Sequence, residues 1–395
     1  MTMRKPGEDT RLVHSDYSPP EGFASLTTPI HHASTVVFDS VRAYRTRGER
    51  LYEGYMYGLT GTPTTMALAQ RIADLEGGYR AVLTPSGLSA ITLVYLACAK
   101  HGDHVLVPDN VYSPSRELCR KLLADLGIES TFYDPLAGAA IGALIRDNTR
   151  LVWVESPGSV TMEVQDVPII AAAAHERSVL VAMDNTWAAG YFFKPFDKGC
   201  DISVQAVTKY IGGHADLLLG AVTAKDDPLY RRLKDMASIL GLGAAPDDCF
   251  LALRGLPSMA ARLKQHQASA LAVAAWLKTR PEVKRVLHPA FPDCPGHEIW
   301  QRDFSGASGL FSFLVRNEFS QAAVDRMIDS LRYFKIGASW GGPVSLALPL
   351  DPRSMRSAVS WLENGRLVRL NIGLEDPVDL IADLEAGFVV MKTPG

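Results

Sequence analysis

A lysine and an aspartate within one stretch of the chain have residue types that could do chemistry together. Asp184 ends the apolar run SVLVAMD, which predicts a buried parallel strand. Open α/β sheets bind their ligands at the carboxyl ends of such strands. Lys209 follows after one strand–turn–strand excursion, between VT and YIGGH, in an uncharged setting rich in small residues. The two side chains therefore mark a candidate catalytic site.

The chemistry follows from what a desolvated lysine and a strand-end aspartate do best. Desolvation disfavours the ammonium of Lys209 and frees its amine as a nucleophile toward an aldehyde. Asp184 can keep a pyridinium nitrogen protonated, which makes a pyridine ring an electron sink. A pyridoxal phosphate enzyme needs these two groups. Because a lone lysine is usually a surface residue, the prediction rests on the whole stretch from 184 to 220.

A small-residue turn is a candidate phosphate site. AVLTP predicts a strand, and a helix follows the turn Ser86-Gly87-Leu88 and extends to about Lys100. Free amides and the positive end of the dipole at a helix start bind phosphate well. Many α/β proteins carry such a turn without a ligand, so the turn alone leaves both readings open.

Three further side chains have a functional and a structural interpretation each. Tyr112 follows a strand and can stack on a flat ring or simply pack. Arg369 lies in the alternating strand pattern LVRLNIGLED and can bind a substrate carboxylate or an internal acid. Trp340, in the glycine-containing loop ASWGGP, can line a pocket or belong to the core.

Strands alternate with helices from about residue 80 to residue 220, which predicts a mostly parallel sheet covered by helices on both faces. Residues 226–280 have helical spacing, and a smaller α+β domain follows. Residues 1–60 lack sustained periodicity and can form an arm that reaches a neighbouring subunit. We therefore divide the chain into this arm, a cofactor-binding α/β domain over 61–255 and a C-terminal α+β domain over 256–395.

Composition narrows the class of protein. The chain has 395 residues, of which 47% are hydrophobic and 21% charged, and its net charge of −3 gives no reason to expect a nucleic-acid partner. Its five cysteines include no C-x-x-C pair, which argues against a disulfide framework or a metal site and fits a reducing cytoplasm. We expect them to be buried. The sequence shows neither a secretory signal nor an apolar run of about 18 residues that could span a membrane.

Several motifs carry a resemblance to a known family: DNTW, TKY-x-x-GH, SWGG and R-L-x-IGLED, in this order. In combination they resemble the Cys/Met-metabolism family of pyridoxal phosphate enzymes, fold type I. The resemblance covers nearly the whole chain. It implies an α/β fold of the PLP-dependent transferase type, like aspartate aminotransferase, with a large mostly parallel sheet domain and a smaller C-terminal α+β domain.

The resemblance also assigns cofactor-binding roles. It implies that Lys209 is joined covalently to pyridoxal phosphate, that Asp184 pairs with the pyridine nitrogen and that Tyr112 stacks on the ring. It further implies one group of residues that hold the phosphate: Ser86, Gly87, Leu88 and Thr208.

The substrate side of the site follows from the same resemblance. It implies that Arg369 binds the α-carboxylate and that Ser339 and Trp340, with Tyr112, line the substrate site. It assigns Tyr57 to the site of the neighbouring subunit, where it contacts the cofactor and assists catalysis. The family assembles as tetramers, dimers of tight dimers, so we expect a homotetramer acting on a small amino acid.

Within the family, ESPGS, DNTWAAG and SWGG resemble the β-lyases. This implies β-elimination of cystathionine to homocysteine, pyruvate and ammonia, a step of methionine biosynthesis, with Lys209 removing the Cα proton. Two positions depart from that pattern: Leu59 replaces an arginine that contacts the phosphate, and Ala338 replaces a tyrosine and opens the site.

These departures keep alternatives open. The chain could carry out γ-elimination or γ-replacement, act as a cysteine or cystine desulfhydrase, or have amino-acid racemase side activity. From another class, it could be a cofactor-free binding protein that kept the fold.

Overall fold

The computed structural model describes residues 6–14 and 17–393. Residues 1–5 and 15–16 of the predicted arm, and residues 394–395 of the predicted C-terminal domain, lie outside this described part. The α-helices in chain order are α1 (Glu8–Val13), α2 (Val41–Arg45), α3 (Pro63–Glu76), α4 (Gly87–Cys98), α5 (Ser113–Leu118), α6 (Val167–His175), α7 (Asp227–Ile239), α8 (Pro246–Lys278), α9 (His297–Asp303), α10 (Gln321–Asp329) and α11 (Pro377–Lys392). The strands are β1 (Arg80–Thr84), β2 (His104–Pro108), β3 (Glu129–Tyr133), β4 (Thr149–Glu155), β5 (Leu180–Asp184), β6 (Ile202–Ala206), β7 (Gly220–Ala224), β8 (Val283–Leu287), β9 (Leu310–Val315), β10 (Leu346–Leu350) and β11 (Arg366–Asn371).

The large sheet has seven strands in the order β1-β7-β6-β5-β4-β2-β3. The neighbours from β6 to β3 are parallel, whereas β7 is antiparallel to both β1 and β6. Residues of α4 and α7 form a core with one face, and residues of α3, α6 and α8 form a core with the other. The strands read as continuous apolar runs because both faces are covered. The predicted α/β fold with a mostly parallel sheet is confirmed.

The small sheet has four antiparallel strands in the order β10-β11-β9-β8. Residues of α10, α11 and the end of α8 form its core. Helix α8 has 33 residues and contacts both α3 and α11, so it links the two sheets as the sequence predicts. The boundary between 255 and 256 lies inside this helix, and the division into domains stays a prediction.

The N-terminal segment is more regular than its sequence suggests. It contains the short helices α1 and α2, of six and five residues. Helices of this length are too short to display a repeating apolar face, so the periodicity analysis misses them. Helix α1 buries Leu12 and packs against α8, where Asp9 accepts from Lys264 Nζ.

All five cysteines are buried, as predicted. Among the helices that the structure describes, none combines the length and apolar character needed to cross a membrane.

Candidate active site

A cleft of about 1070 Å³ opens where β4, β5 and β6 end. Side chains of the large sheet line one side, and residues near β11 of the small sheet line the other. The carboxyl ends of parallel strands are where this class of sheet binds ligands. Most of the predicted site residues line this cleft: Ser86, Gly87, Leu88, Tyr112, Asp184, Thr208, Lys209, Trp340 and Arg369.

Lys209 lies in the turn directly after β6, where its amide donates to the carbonyl of Ala206 at 3.0 Å. The side chain is half-buried, and Nζ donates to Ser339 Oγ at 2.7 Å. Burial and the charge of Arg369 together lower the pKa of Lys209 to about 8, with the charge of Asp184 acting in the opposite direction. The amine is therefore available as a base or nucleophile close to neutral pH.

A buried arginine that the sequence analysis did not single out supports the turn after Lys209. Arg262 in α8 donates to the carbonyl of Tyr210 at 2.8 Å and to that of Gly255 at 2.9 Å. Gly213 has φ +74°, and a Cβ there would lie 2.0 Å from Arg262 Nη1. The glycine lets the guanidinium reach the turn. Nothing in the sequence around Arg262 distinguishes it from a surface residue of a helix.

Asp184 ends β5 and faces the cleft. Its Oδ1 accepts from the amide of Thr186 at 3.0 Å. Burial raises the pKa of Asp184, while the hydrogen bonds from Thr186 and the charge of Lys209 oppose this. A carboxylate in this position benefits from a cationic partner in the cleft, which a protonated pyridine nitrogen would supply.

Glu155 is a second acid that the sequence analysis missed. It ends β4 and pairs in register with Asp184. Its carboxylate accepts from the amides of Tyr112 at 2.8 Å and Ser159 at 3.0 Å. Burial and the charge of Asp184 together raise its pKa to about 8, although the hydrogen bonds from Ser159 and Tyr112 oppose the shift. Its place at the end of the strand beside β5, in the quoted motif ESPGS, is the feature that could have identified it.

The predicted phosphate turn begins α4 with a capping box. Ser86 Oγ accepts from the amide of Ser89 at 3.1 Å, and Ser89 Oγ accepts from the amide of Ser86 at 2.9 Å. The capping box leaves the amides of Gly87 and Leu88 for another acceptor at the positive end of the helix. Gly87 packs against β6, since a Cβ there would lie 2.7 Å from Ala206 Cβ.

Arg369 is half-buried in β11. Its Nη2 donates to the carbonyl of Ala338 at 3.0 Å, and no carboxylate pairs with it in residues 6–14 and 17–393. Burial lowers the pKa of Arg369 to about 10. The internal ion pair that the sequence left open is thus absent from this part of the chain, and the guanidinium faces the cleft beside Tyr112. Trp340 packs against Tyr210 with ring centroids 5.6 Å apart.

Tyr57 and Leu59 do not line this cleft. Tyr57 is 47% exposed, and its hydroxyl accepts from Ser34 Oγ at 3.3 Å. Leu59 lines a separate cavity of about 970 Å³ with Gly243. The structure of a single chain thus leaves Tyr57 outside its own site, and its role in a neighbouring subunit stays a prediction.

Comparison with known sequences gives the family. The sequence profile of the Cys/Met metabolism PLP-dependent enzymes matches residues 9–389. This chain belongs to that family. Pyridoxal phosphate is therefore its cofactor, as predicted.

Several Cys/Met metabolism enzymes are similar over nearly the full chain. A cystathionine β-lyase of Escherichia coli K12 is 42% identical, covering 96% of this chain and 98% of the relative. An L-alanine/L-glutamate racemase of Wolbachia pipientis wMel is 41% identical, with 92% of each covered. The crystal structure of cystathionine γ-synthase from Xanthomonas oryzae pv. oryzae, in complex with aminoacrylate and cysteine, has a TM-score of 0.88 at 32% identity. It covers 97% of this chain and 98% of that one, and the predicted PLP-dependent transferase-like fold is confirmed.

The cleft has the donors and acceptors that the family's cofactor requires. The free amides at the start of α4 suit a phosphate, and Asp184 suits a pyridinium nitrogen. Lys209 would provide the amine for the aldehyde, and the Tyr112 ring would provide a face for stacking. Thr208 also lines the cleft, although its hydroxyl already exchanges hydrogen bonds with the backbone of Leu219. The residues present thus fit pyridoxal phosphate.

Proposed function

We propose that this enzyme is a carbon–sulfur lyase that cleaves cystathionine by β-elimination to homocysteine, pyruvate and ammonia, in methionine biosynthesis. The observation that carries the proposal is one cleft that combines the amine of Lys209, the acid of Asp184 and the guanidinium of Arg369, which has no carboxylate partner among the residues that the structure describes. The E. coli relative named a cystathionine β-lyase, matched over 96% of this chain, supports it.

Each of the three groups has one task in this reaction. Arg369 binds the substrate α-carboxylate through its planar fork, which orients the Cα–H bond toward Lys209. Bound pyridoxal phosphate supplies an electron sink for the charge left on Cα. Lys209 Nζ removes the Cα proton and then protonates the departing sulfur. Asp184 holds the pyridine nitrogen protonated throughout.

The contacts around Lys209 suit an amine that must change protonation state. Ser339 Oγ accepts from Nζ at 2.7 Å and keeps it within the cleft. Arg369 and burial lower the pKa of Lys209, so that losing a proton costs little near neutral pH. We assign Tyr57 of a neighbouring copy to keeping the incoming substrate amine deprotonated.

Product analysis tests the proposal directly. Purified protein loaded with pyridoxal phosphate is given cystathionine, cystine, cysteine and methionine in separate reactions, and the keto acid and thiol are identified. We expect pyruvate and homocysteine from cystathionine, and loss of both products in Lys209→Ala. Formation of 2-oxobutyrate and cysteine instead would assign γ-elimination, and wild-type rates in Lys209→Ala would contradict the assigned role of the amine.

A second activity, amino-acid racemisation, has support of its own. The Wolbachia relative is named an L-alanine/L-glutamate racemase, and Ala338 places a small side chain in the cleft beside Arg369. The same proton removal from Cα, followed by return of a proton to the opposite face, racemises an amino acid when no leaving group is present. Chiral chromatography after incubation with L-alanine or L-glutamate tests this, and retention of the L form excludes it. The same substrate panel reports desulfhydrase activity on cysteine and cystine.

We also propose that the protein acts as a cytoplasmic homotetramer, built as a dimer of dimers. The N-terminal segment exposes large apolar side chains, including Phe23 at 68% and Leu26 at 100%, which a neighbouring copy could cover. Light scattering after size exclusion gives the mass. A mixture of Tyr57→Ala and Lys209→Ala chains tests sharing of sites, because mixed dimers should regain part of the activity that each variant lacks.

A further inference from the structure

Glu76 is a buried acid that has no part in the reaction described above. It is the last residue of α3 and has no solvent exposure. Its carboxylate accepts hydrogen bonds from Ser203 Oγ, from Gln205 Nε2 and from Asn185 Nδ2, the last at 3.2 Å. An ionised carboxylate in the interior is costly unless donors surround it, and here three side chains do.

The donors come from the two strands that deliver the catalytic pair. Asn185 directly follows Asp184 at the end of β5. Ser203 and Gln205 lie two residues apart in β6 and so point to the same face of the sheet. Lys209 follows β6 by three residues. The Glu76 carboxylate thus connects the end of β5, which bears Asp184, to β6, which precedes Lys209.

Other contacts at this junction depend on the same side chains. Gln205 Nε2 also donates to the carbonyl of Asn185 at 3.0 Å, and Asn185 Nδ2 also donates to the carbonyl of Phe193 at 3.2 Å. Gly190 has φ +66°, and a Cβ there would lie 2.4 Å from Glu76 Oε1. The loop after Asp184 therefore fits closely around the carboxylate.

The charge of Glu76 is not among those that shift the pKa values of Lys209 and Asp184. The charges of Arg369 and Asp184 shift the pKa of Lys209, and Asp184 interacts with the charges of Lys209 and of the neighbouring Glu155. Burial raises the pKa of Glu76 itself to about 7 despite the opposing effect of its three hydrogen-bond donors. An effect of Glu76 on the site must therefore pass through hydrogen bonds and backbone position.

We propose that Glu76 is a positioning residue that clamps β5 to β6 through Asn185, Ser203 and Gln205 and thereby sets the placement of Asp184 relative to Lys209. This inference rests on the proposed function only in taking Asp184 and Lys209 as the pair that holds the cofactor. It does not depend on which substrate is cleaved.

Two substitutions at Glu76 separate position from charge. Glu76→Gln removes the charge but keeps an oxygen for Gln205 and Asn185, while its amide can donate to the Ser203 hydroxyl, so we expect near wild-type behaviour. Glu76→Met has similar length and no acceptor oxygen. For it we expect pyridoxal phosphate to bind about tenfold more weakly to the cofactor-free protein, and kcat to fall by roughly ten- to a hundredfold with KM nearly unchanged. The pH midpoint of the visible absorbance of the bound cofactor should shift in Glu76→Met alone.

A buried acid of the small domain provides the matched control. Glu282 is 1% exposed and pairs with Lys392 and Arg280. We expect Glu282→Met to lower the melting temperature without moving cofactor affinity, the absorbance midpoint or kcat. If Glu76→Met does not fold, Gln205→Met removes one donor at similar volume and should change the same three quantities in the same direction, by smaller factors.

Several outcomes would contradict the positioning role of Glu76. In one, Glu76→Met has a lower melting temperature but keeps wild-type cofactor affinity and absorbance midpoint, which would make Glu76 merely structural. The same result for Gln205→Met counts in its place if Glu76→Met does not fold. Another is Glu76→Gln as impaired as Glu76→Met, which would make the charge decisive. If the wild type does not cleave cystathionine, only the proposed function is contradicted. The positioning role of Glu76 is still tested by cofactor affinity and by the absorbance midpoint.

Discussion

Lys209 owes its chemistry to its surroundings more than to its own side chain. Burial and the charge of Arg369 together lower its pKa to about 8, while the charge of Asp184 acts against this shift. Arg369 has no acidic partner within the described ranges, so its charge faces the cleft unneutralised. Under the proposed function, the arginine that binds the substrate carboxylate is also the one that holds the lysine amine closer to its neutral form.

Replacing Arg369 with methionine should raise the pKa of Lys209 above about 8, because one of the two influences that lower it is removed. The measurement is the rate at which cofactor-free protein takes up pyridoxal phosphate across pH, since only the unprotonated amine attacks the aldehyde. KM for cystathionine should also rise by roughly 10- to 100-fold, the worth of a charged hydrogen bond. An uptake midpoint that stays in place or falls would contradict this prediction, and Lys209→Ala serves as the blank.

At the scale of elements, parallel strands bring together side chains that are distant in sequence. The register of β4 and β5 sets Glu155 beside Asp184. The same strand end lets the Glu155 carboxylate hold the amides of Tyr112 and Ser159, which belong to two loops on the rim of the cleft. Glu155 therefore fixes the backbone of the residue expected to stack on the cofactor ring.

Glu155→Ala should lower kcat by about tenfold and weaken cofactor binding, because it frees both loops and the Tyr112 ring loses its fixed position. Glu155→Gln keeps one acceptor oxygen and should lose less. Steady-state kinetics and titration of cofactor-free protein with pyridoxal phosphate measure the two effects. Equal losses in the two variants would show that the charge of Glu155, rather than its hold on the loops, matters.

The turn after Lys209 depends on a glycine that lies against Arg262. Gly213→Ala places a methyl group 2.0 Å from Arg262 Nη1 at a residue with φ +74°, whereas Gly102→Ala at φ +83° meets no atom within 4 Å. We expect Gly102→Ala to cost only the backbone strain, about 1–2 kcal/mol of unfolding free energy. Gly213→Ala should cost more and also release pyridoxal phosphate. Thermal unfolding and cofactor content after dialysis check both, and equal effects of the two variants would contradict the role given to the turn.

At the scale of the whole molecule, the segment between β10 and β11 fastens the small sheet to the large one. The Asp109 carboxylate, directly after β2, accepts from the amides of Ser357 at 2.9 Å, Ala358 at 2.9 Å and Val359 at 2.8 Å, and from the Arg116 side chain. Burial raises the pKa of Asp109, but these donors outweigh it and hold the pKa below its usual range. The contact ties the loop that bears Tyr112 to the segment that leads into β11, the strand that bears Arg369.

Asp109→Ala should lower the free energy of unfolding by about 3–5 kcal/mol, because it leaves the buried Arg116 without its carboxylate partner. Glu117→Ala, which breaks an exposed pair with Lys121, should change it little. The depressed pKa of folded Asp109 means that its stabilisation is present above the usual pKa of an aspartate and disappears as the pH falls through the lower folded value. Denaturant unfolding should therefore show a smaller difference in the free energy of unfolding between wild type and Asp109→Ala at acidic pH than at pH 7. A larger difference between the two proteins at acidic pH would contradict the prediction.

The sequence by itself determined the fold class and the family, and it predicted the groups that we propose for the chemistry. Parallel strands that have helices on both faces are apolar throughout, and motifs such as TKY-x-x-GH are local. Both can therefore be recognised in the sequence without knowledge of the tertiary contacts. The lysine, the aspartate, the phosphate turn and the arginine were named from such local patterns, and the structure brings all four to one cleft.

Only the tertiary structure decided which other side chains support that cleft. Glu155, Arg262, Glu76 and Asp109 act on residues far away in the chain, through strand register, helix packing or the fastening of the small sheet. Their partners become neighbours only when the two sheets assemble, so no local pattern marks them. The pKa of Lys209 likewise depends on burial and on a charge from the other sheet, which a linear sequence does not contain.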